Sequence, residues 1–180
     1  MDGDQRAGDQ RQFDEIFLEL LPRLYRRAFL LTSRSQYAED AVHETYLKLA
    51  SRPRGLLSHP EPYAYAFAAL ASVLRDTWRR DRRTVLTNEV EEPDGVEWDG
   101  GVEGRVSELE VVRLLATLTA RQATVVILVD LDGYTIDQAA RILGVHRGTV
   151  ARSRDRALKR LRGRLRPPQL APVRGQHDDV

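Results

Sequence analysis

Thr135-Ile-Asp-Gln-Ala-Ala-Arg-Ile-Leu-Gly-Val-His-Arg-Gly-Thr-Val150 reads as two short helices around a tight turn. Thr135 followed by Gln138 is a capping box, in which hydroxyl and amide side chains satisfy the orphan amides of a helix start. Ile136, Ala139, Ala140 and Leu143 recur at helical spacing and give a narrow apolar face. Gly144 stands where a left-handed cap is wanted, because it has no Cβ to clash. A second helix begins near His146, with Val145 and Val150 spaced as a hydrophobic staple. It carries Arg147, Arg152, Arg154, Arg156, Lys159, Arg160, Arg162 and Arg164 against a single acid, Asp155. A small-residue turn before a basic helix suits a helix-turn-helix that enters a major groove. The bland alternative is a solvated basic helix in a bundle.

Charge is arranged in blocks around this unit. The net charge of +1 averages opposed segments. Residues 85 to 104 hold Glu89, Glu91, Glu92, Asp94, Glu97, Asp99 and Glu103 without a Lys or Arg, whereas the last helix is nearly all cationic. That asymmetry points to a nucleic-acid surface and an acidic tether. A length of 180 residues suits one domain or two small ones, and 42% hydrophobic with 7% aromatic content suits modest cores and argues against large ones. Without cysteine there is no disulfide, thiolate metal site or thiol switch. The N-terminus lacks the order of a signal peptide, and the longest small-and-apolar run, Ala64 to Leu74, is far short of the about 20 residues that span a bilayer. No membrane insertion is expected, and the expected location is cytoplasmic.

The remaining segments read as helices. Residues 1–12 are polar and expected to fray. Phe13, Ile16, Phe17, Leu20, Leu21 and Leu24 mark an amphipathic helix that Pro22 should end or kink, with a continuation to Leu31 in which Arg23, Arg26 and Arg27 alternate with apolar residues. After a turn at 32–35, a helix from about Gln36 to Ser51 turns Ala38, Val42, Thr45 or Tyr46 and Leu49 inward and leaves Glu39, Asp40, His43, Glu44 and Lys48 outside. Residues 52–62, with their prolines, read as a loop. Pro60 and Pro62 suit the first turn of the next helix, which carries Tyr63, Tyr65, Phe67, Leu70, Leu74 and Trp78 before Arg75-Asp-Thr-Trp-Arg-Arg-Asp-Arg-Arg83. Aromatics beside arginines suit single-stranded DNA, where bases stack on rings. Phe67 and Trp78 suit the core, while Tyr63 and Tyr65 fit either role. Residues 84–106 read as a flexible linker. Ser107 with Glu110 and Thr119 with Gln122 form two further capping boxes, starting helices packed through Leu109, Val112, Leu115 and Leu118, then Val125, Val126, Leu128 and Val129. Asp132-Gly133 turns the chain into the helix-turn-helix, and residues 167–180 form a loose tail. The expected fold is all-α: two small helical domains, 13–83 and 107–166, joined by an acidic linker.

Over residues 13 to 166 the chain resembles the bacterial sigma factors of the extracytoplasmic-function type. Tyr37-Ala-Glu-Asp-Ala-Val-His-Glu-Thr-Tyr-Leu-Lys-Leu49 is similar to the family's core-polymerase-binding helix, usually written DAEDLVQETFLRL. Ala71-Ser-Val-Leu-Arg-Asp-Thr-Trp-Arg-Arg80 sits where the −10 element is met and melted, and residues 118–144 resemble the domain that reads −35. The resemblance implies a non-catalytic initiation subunit, without cofactor or metal, whose partners are RNA polymerase core and promoter DNA; it also admits an anti-sigma factor. Asp40, His43 and Glu44 would face polymerase. Tyr63, Tyr65, Arg75, Arg79 and Arg80 would serve the −10 element. Arg147, Thr149, Arg152, Arg156, Lys159 and Arg160 would serve −35. His43 replaces the usual Gln, Ser72-Val73 the usual Arg-Asn pair, and His146 the usual Ser at the recognition-helix cap. Arg154 falls on what should be the buried stripe, so it must snorkel or the helix must rotate locally.

Two other readings compete. A dimeric helix-turn-helix regulator would explain residues 107–166 but leave the acidic face of 37–49 and the Arg–aromatic helix without work. An enzyme is disfavoured: the four histidines are scattered, and no phosphate loop or nucleophile–base pairing is legible.

Overall fold

The computed structural model describes residues 2–84 and 101–165, and among these all regular structure is helical. The N-terminal domain comprises α1 (Asp2–Thr32), α2 (Ser35–Ala50), α3 (Arg54–Leu57) and α4 (Pro62–Thr84). The C-terminal domain comprises α5 (Gly101–Ala116), α6 (Ala120–Val126) with a π-helical turn at Ile127–Leu131, α7 (Ile136–Leu143) and α8 (Arg147–Leu165). The acidic stretch 85–100 and the tail 166–180, expected to be linker and loose tail, lie outside the described residues.

Helix α1 is longer than its composition suggests, and the expected frayed segment is helical from Asp2 onward. One contact within the helix and one from α3 hold it there. Asp9 accepts from Arg54 at 2.8 Å, and Gln10 donates to Asp14 at 3.0 Å. The helix also continues through Pro22. Pro22 lacks an N–H to give the Leu18 carbonyl, but both residues lie exposed, where water can take the freed acceptor. The buried face carries Phe13, Phe17, Leu24 and Ala28, spaced by four, seven and four residues. Phe13 and Phe17 pack against the Tyr46 ring of α2 with centroids 5.6 and 5.2 Å away, in tilted and edge-on arrangements favoured by ring quadrupoles.

The expected inner face of α2 is present: Ala38, Ala41, Val42, Thr45 and Leu49 are buried. Thr45 takes the place offered to it or Tyr46, and it satisfies its hydroxyl by donating to the Ala41 carbonyl at 2.7 Å. The segment expected to be loop at 52–62 contains one helical turn, α3, because Leu56 is fully buried and pulls it onto the core. Gly55 faces the Tyr65 ring, and a Cβ there would lie 2.5 Å from the Tyr65 hydroxyl. Helix α4 starts at Pro62, as its lack of an N–H allows, and buries Tyr63, Phe67, Leu70 and Leu74.

In the C-terminal domain α5 begins at Gly101, so Ser107 lies inside a helix and starts none. Val102, Val106 and Leu109 continue the helical spacing upstream, a signal hidden by the intervening glycines and acids. The other two capping boxes form as expected. Thr119 and Thr135 each accept from an N3 amide while Gln122 and Gln138 return to the cap amide at 3.0 and 2.8 Å. Gly144 adopts φ 62, the left-handed cap. His146 caps α8 in place of the family's Ser, its Nδ1 accepting from the Gly148 amide at 3.1 Å. The core is Val112, Leu115, Val125, Ile127, Leu128, Ala139, Val150 and Ala157.

Two glycines should respond in opposite directions to alanine. Gly144→Ala forces a side chain into the left-handed region and should lower unfolding free energy by about 1–2 kcal/mol. Gly8→Ala, whose Cβ would meet nothing within 4 Å, should raise it by about 0.5–1 kcal/mol by removing a mid-helix glycine. Urea denaturation of the full chain followed by circular dichroism measures both.

Candidate nucleic-acid interface

Helix α8 separates its charges by face. Val150, Arg154, Ala157 and Leu161 follow one stripe, and Val150 and Ala157 are fully buried against the domain. Arg152, Arg156, Lys159 and Arg160 fall on the opposite side, are exposed, and make no ion pair among the described residues. These four cations form an exposed positive helix face, the kind of surface that nucleic-acid phosphates attract. Arg147 is also exposed but pairs with Asp137 of α7 at 2.9 Å. Thr149 is half-buried and points away from that open face, into a cavity shared with α4.

Arg154 neither snorkels nor rotates the helix. Its guanidinium grips Asp130 through Nε at 3.1 Å to both carboxylate oxygens and through a terminal nitrogen at 2.6 Å to one of them. The hydrogen bonds to Asp130 raise the Arg154 pKa against the opposing effect of desolvation. Asp130 is available because the chain widens into a π-helical turn at 127–131, closed by the Asp132 amide donating to the Ile127 carbonyl at 2.8 Å. Such i→i+5 turns are rare and often found at functional sites. Here the turn orients α8 on the rest of the domain.

The same turn delivers Asp132, which sequence reasoning took only as a turn residue. Its side chain has no solvent exposure. Arg27 donates to Oδ1 through Nε at 3.1 Å and a terminal nitrogen at 2.8 Å, Arg23 donates to the same oxygen at 2.9 Å, and the Tyr63 hydroxyl donates to Oδ2 at 2.8 Å. Arg23 also lies 3.6 Å over the centroid of the Tyr63 ring. Burial, then the Asp132 charge, pushes the Tyr63 hydroxyl up, so it remains a protonated donor at any physiological pH. Desolvation lowers the Arg23 pKa, but the bond to Asp132 and the neighbouring tyrosines outweigh it and the net shift is upward. A buried carboxylate needs such partners, since an isolated one is prohibitively costly. The signal available beforehand was the four-residue spacing of Arg23 and Arg27, which puts both on one face of α1.

On α4 the expected −10 residues divide. Arg75, Arg79 and Arg80 are exposed, Tyr65 is half-buried with its ring centroid 5.2 Å from that of His59, and Tyr63 is buried in the Asp132 cluster. Asp40, His43 and Glu44 are all exposed on α2, together with Leu47. Glu44 reaches Arg80 of α4 at 3.6 Å, an exposed and therefore weak pair. Among the described residues no group of acids, histidines or cysteines could hold a metal, and no helix is long and apolar enough to cross a membrane.

Comparison with known proteins decides the family. The model of sigma-70 region 2 matches residues 16–84, and that of sigma-70 region 4 matches residues 108–161. The chain is 31% identical over 164 residues to the ECF RNA polymerase sigma factor SigM of Mycobacterium tuberculosis, covering 88% of this chain and 81% of that one. The chain belongs to the extracytoplasmic-function sigma factors. EcfG of Rhodopseudomonas palustris, another such sigma factor, is 29% identical over 153 residues, or 82% of this chain and 81% of that one. The fold is shared with the sigma factor RpoE of Bartonella quintana, solved with the anti-sigma factor NepR: TM-score 0.66, 24% identity, 85% of this chain and 96% of that one. As a sigma factor, the protein directs RNA polymerase core to promoters, with region 2 in the N-terminal domain and region 4 in the helix-turn-helix domain. A stand-alone helix-turn-helix regulator would not carry region 2. Sigma factors are in general not enzymes.

The Arg154–Asp130 grip and the open Arg156 make a matched pair of tests. Arg154→Ala should lower unfolding free energy by about 1 kcal/mol, as expected for a bidentate but partly exposed pair, and weaken −35 binding through a loosened α8. Arg156→Ala should leave stability within about 0.5 kcal/mol. Thermal melts of the two variants, compared with −35 duplex binding, separate positioning from contact.

Proposed function

We propose that this sigma factor reads the −35 element with Arg152 and Arg156 toward base edges and Lys159 and Arg160 toward phosphates, Arg147 and Thr149 lying at the entering end of α8. The observation that carries the reading is the face division of α8: its inward arginine is neutralised by Asp130, while the four outward cations have no partner within the described fold. A bare cationic face costs stability through self-repulsion unless an anionic partner answers it. Asp40, His43 and Glu44, exposed together on α2 beside Leu47, meet polymerase core, and Tyr63, Tyr65, Arg75, Arg79 and Arg80 of α4 serve the unpaired −10 strand. Tyr63 can do so only when it is free of Asp132. The chain acts without a reaction of its own, in the cytoplasm where polymerase works. An anti-sigma protein, of the kind bound to the sigma factor of Bartonella quintana, is the proposed regulator.

Three outcomes test these assignments. Arg152→Ala and Arg156→Ala should each cost about 1–3 kcal/mol and relax preference at one −35 position, whereas Lys159→Ala should weaken all sequences alike and flatten the salt dependence by about one contact. Binding to a library of −35 duplexes distinguishes them, and unchanged preferences in both arginine variants would refute the base-reading assignment. Asp40→Lys with Glu44→Lys should stay folded by circular dichroism yet lose core polymerase in a pull-down, because like charges set against a basic partner cost several kcal/mol.

A further inference from the structure

The helices assigned to the two promoter elements, α4 and α8, line one cavity. Arg75 and Trp78 of α4 line it from one side, and Thr149, Val150 and Ser153 of α8 line it from the other, together enclosing about 210 Å³. Side chains of both helices bound this one small cavity, so the two stand far closer together than the elements of a promoter. The −10 and −35 elements are separated by about 25 base steps, or about 85 Å of duplex at 3.4 Å per step. One rigid body with this geometry cannot occupy both elements.

Among the described residues, helix packing between the domains is supplemented by a charged cluster around Asp132 that joins them. Asp132 belongs to the C-terminal domain, whereas all four of its side-chain hydrogen bonds come from Arg23, Arg27 and Tyr63 of the N-terminal domain. Buried charge makes this junction discriminating. With the domains together the carboxylate is fully satisfied; with them apart Asp132, Arg23 and Arg27 return to water, and the Tyr63 ring is uncovered. We propose that Asp132 is a latch that holds the free sigma factor in a closed state unable to span a promoter, and that engagement of polymerase requires the latch to release. The inference rests on the sigma-factor reading for its consequence, but the latch itself is a property of the free chain. Release does two things at once: it lets the domains separate, and it frees Tyr63 for the −10 strand.

The chain has no cysteine, so a distance probe can be placed without further substitution. Glu19→Cys on exposed α1 and Gly163→Cys on α8, where a Cβ would meet nothing within 4 Å, can carry a donor and an acceptor dye. The free protein should give one high-transfer population. Asp132→Asn should shift most molecules to low transfer, and Arg23→Gln with Tyr63→Phe, which removes two of the donor groups at little change in volume, should shift a fraction of them. If the closed state holds about nine molecules in ten, Asp132→Asn should also tighten binding of the free chain to a duplex carrying both elements up to about tenfold, while binding to a −35 duplex alone, whose reading face is already exposed in the closed state, stays unchanged. Core polymerase should lower transfer in the wild type to the level of Asp132→Asn. Unchanged transfer in variants that keep the wild-type circular dichroism would overturn the latch; if Asp132→Asn fails to fold, the Arg23–Tyr63 double variant decides. Failure of the wild-type chain to support run-off transcription with core would instead count against the sigma reading, leaving the transfer measurement to judge the latch alone.

Discussion

A carboxylate with no access to water has to be answered where it stands, and in this protein the answer comes from residues far away in sequence. Asp132 is reached by Arg23, Arg27 and Tyr63, separated from it by 109, 105 and 69 positions. Each of these groups would be costly to bury alone. Their joint burial ties the course of α1, the start of α4 and the turn before α7 to one another. The π-helical turn at 127–131 belongs to the same constraint. It carries Asp130 to meet Arg154 and leads directly into Asp132, so one widened turn fixes both the recognition helix and the domain junction.

The helix-turn-helix was legible because its determinants are local. Thr119, Thr135, Gln122, Gln138 and Gly144 act within three or four residues of where they stand, and each forms the cap its chemistry implies. The inner face of α2 was legible for the same reason, through period alone. What escaped the sequence depended on partners supplied from elsewhere. Helix α1 reaches back to Asp2 with Asp9 held by Arg54 of α3, and α3 exists because Leu56 finds a core built by other helices. The early start of α5 was masked by glycines that weaken local propensity without preventing a helix.

Arg154 shows how an anomaly can be informative before it is understood. Its place on the buried stripe of α8 conflicted with a simple amphipathic helix. The conflict is resolved by an acid from a turn whose hydrogen-bond period is not that of an α-helix, so no 3.6-residue template could have paired Asp130 with Arg154. Local rules fail there because two elements share one charge balance.

The order in which the junction's parts are made has a consequence for biosynthesis. Arg23, Arg27 and Tyr63 all precede Asp132, and the 69 positions from Tyr63 to Asp132 take about 3–14 s to translate at about 5–20 residues per second. For that interval the nascent N-terminal domain carries two guanidinium groups and a phenol prepared for a counter-ion that has not yet been synthesised. The arginine pair is therefore open to any anionic surface near the ribosome, and the newly made domain passes through a stage in which its own closing residue cannot compete. A chain of the same composition with Asp132 placed ahead of the arginines would never experience that stage.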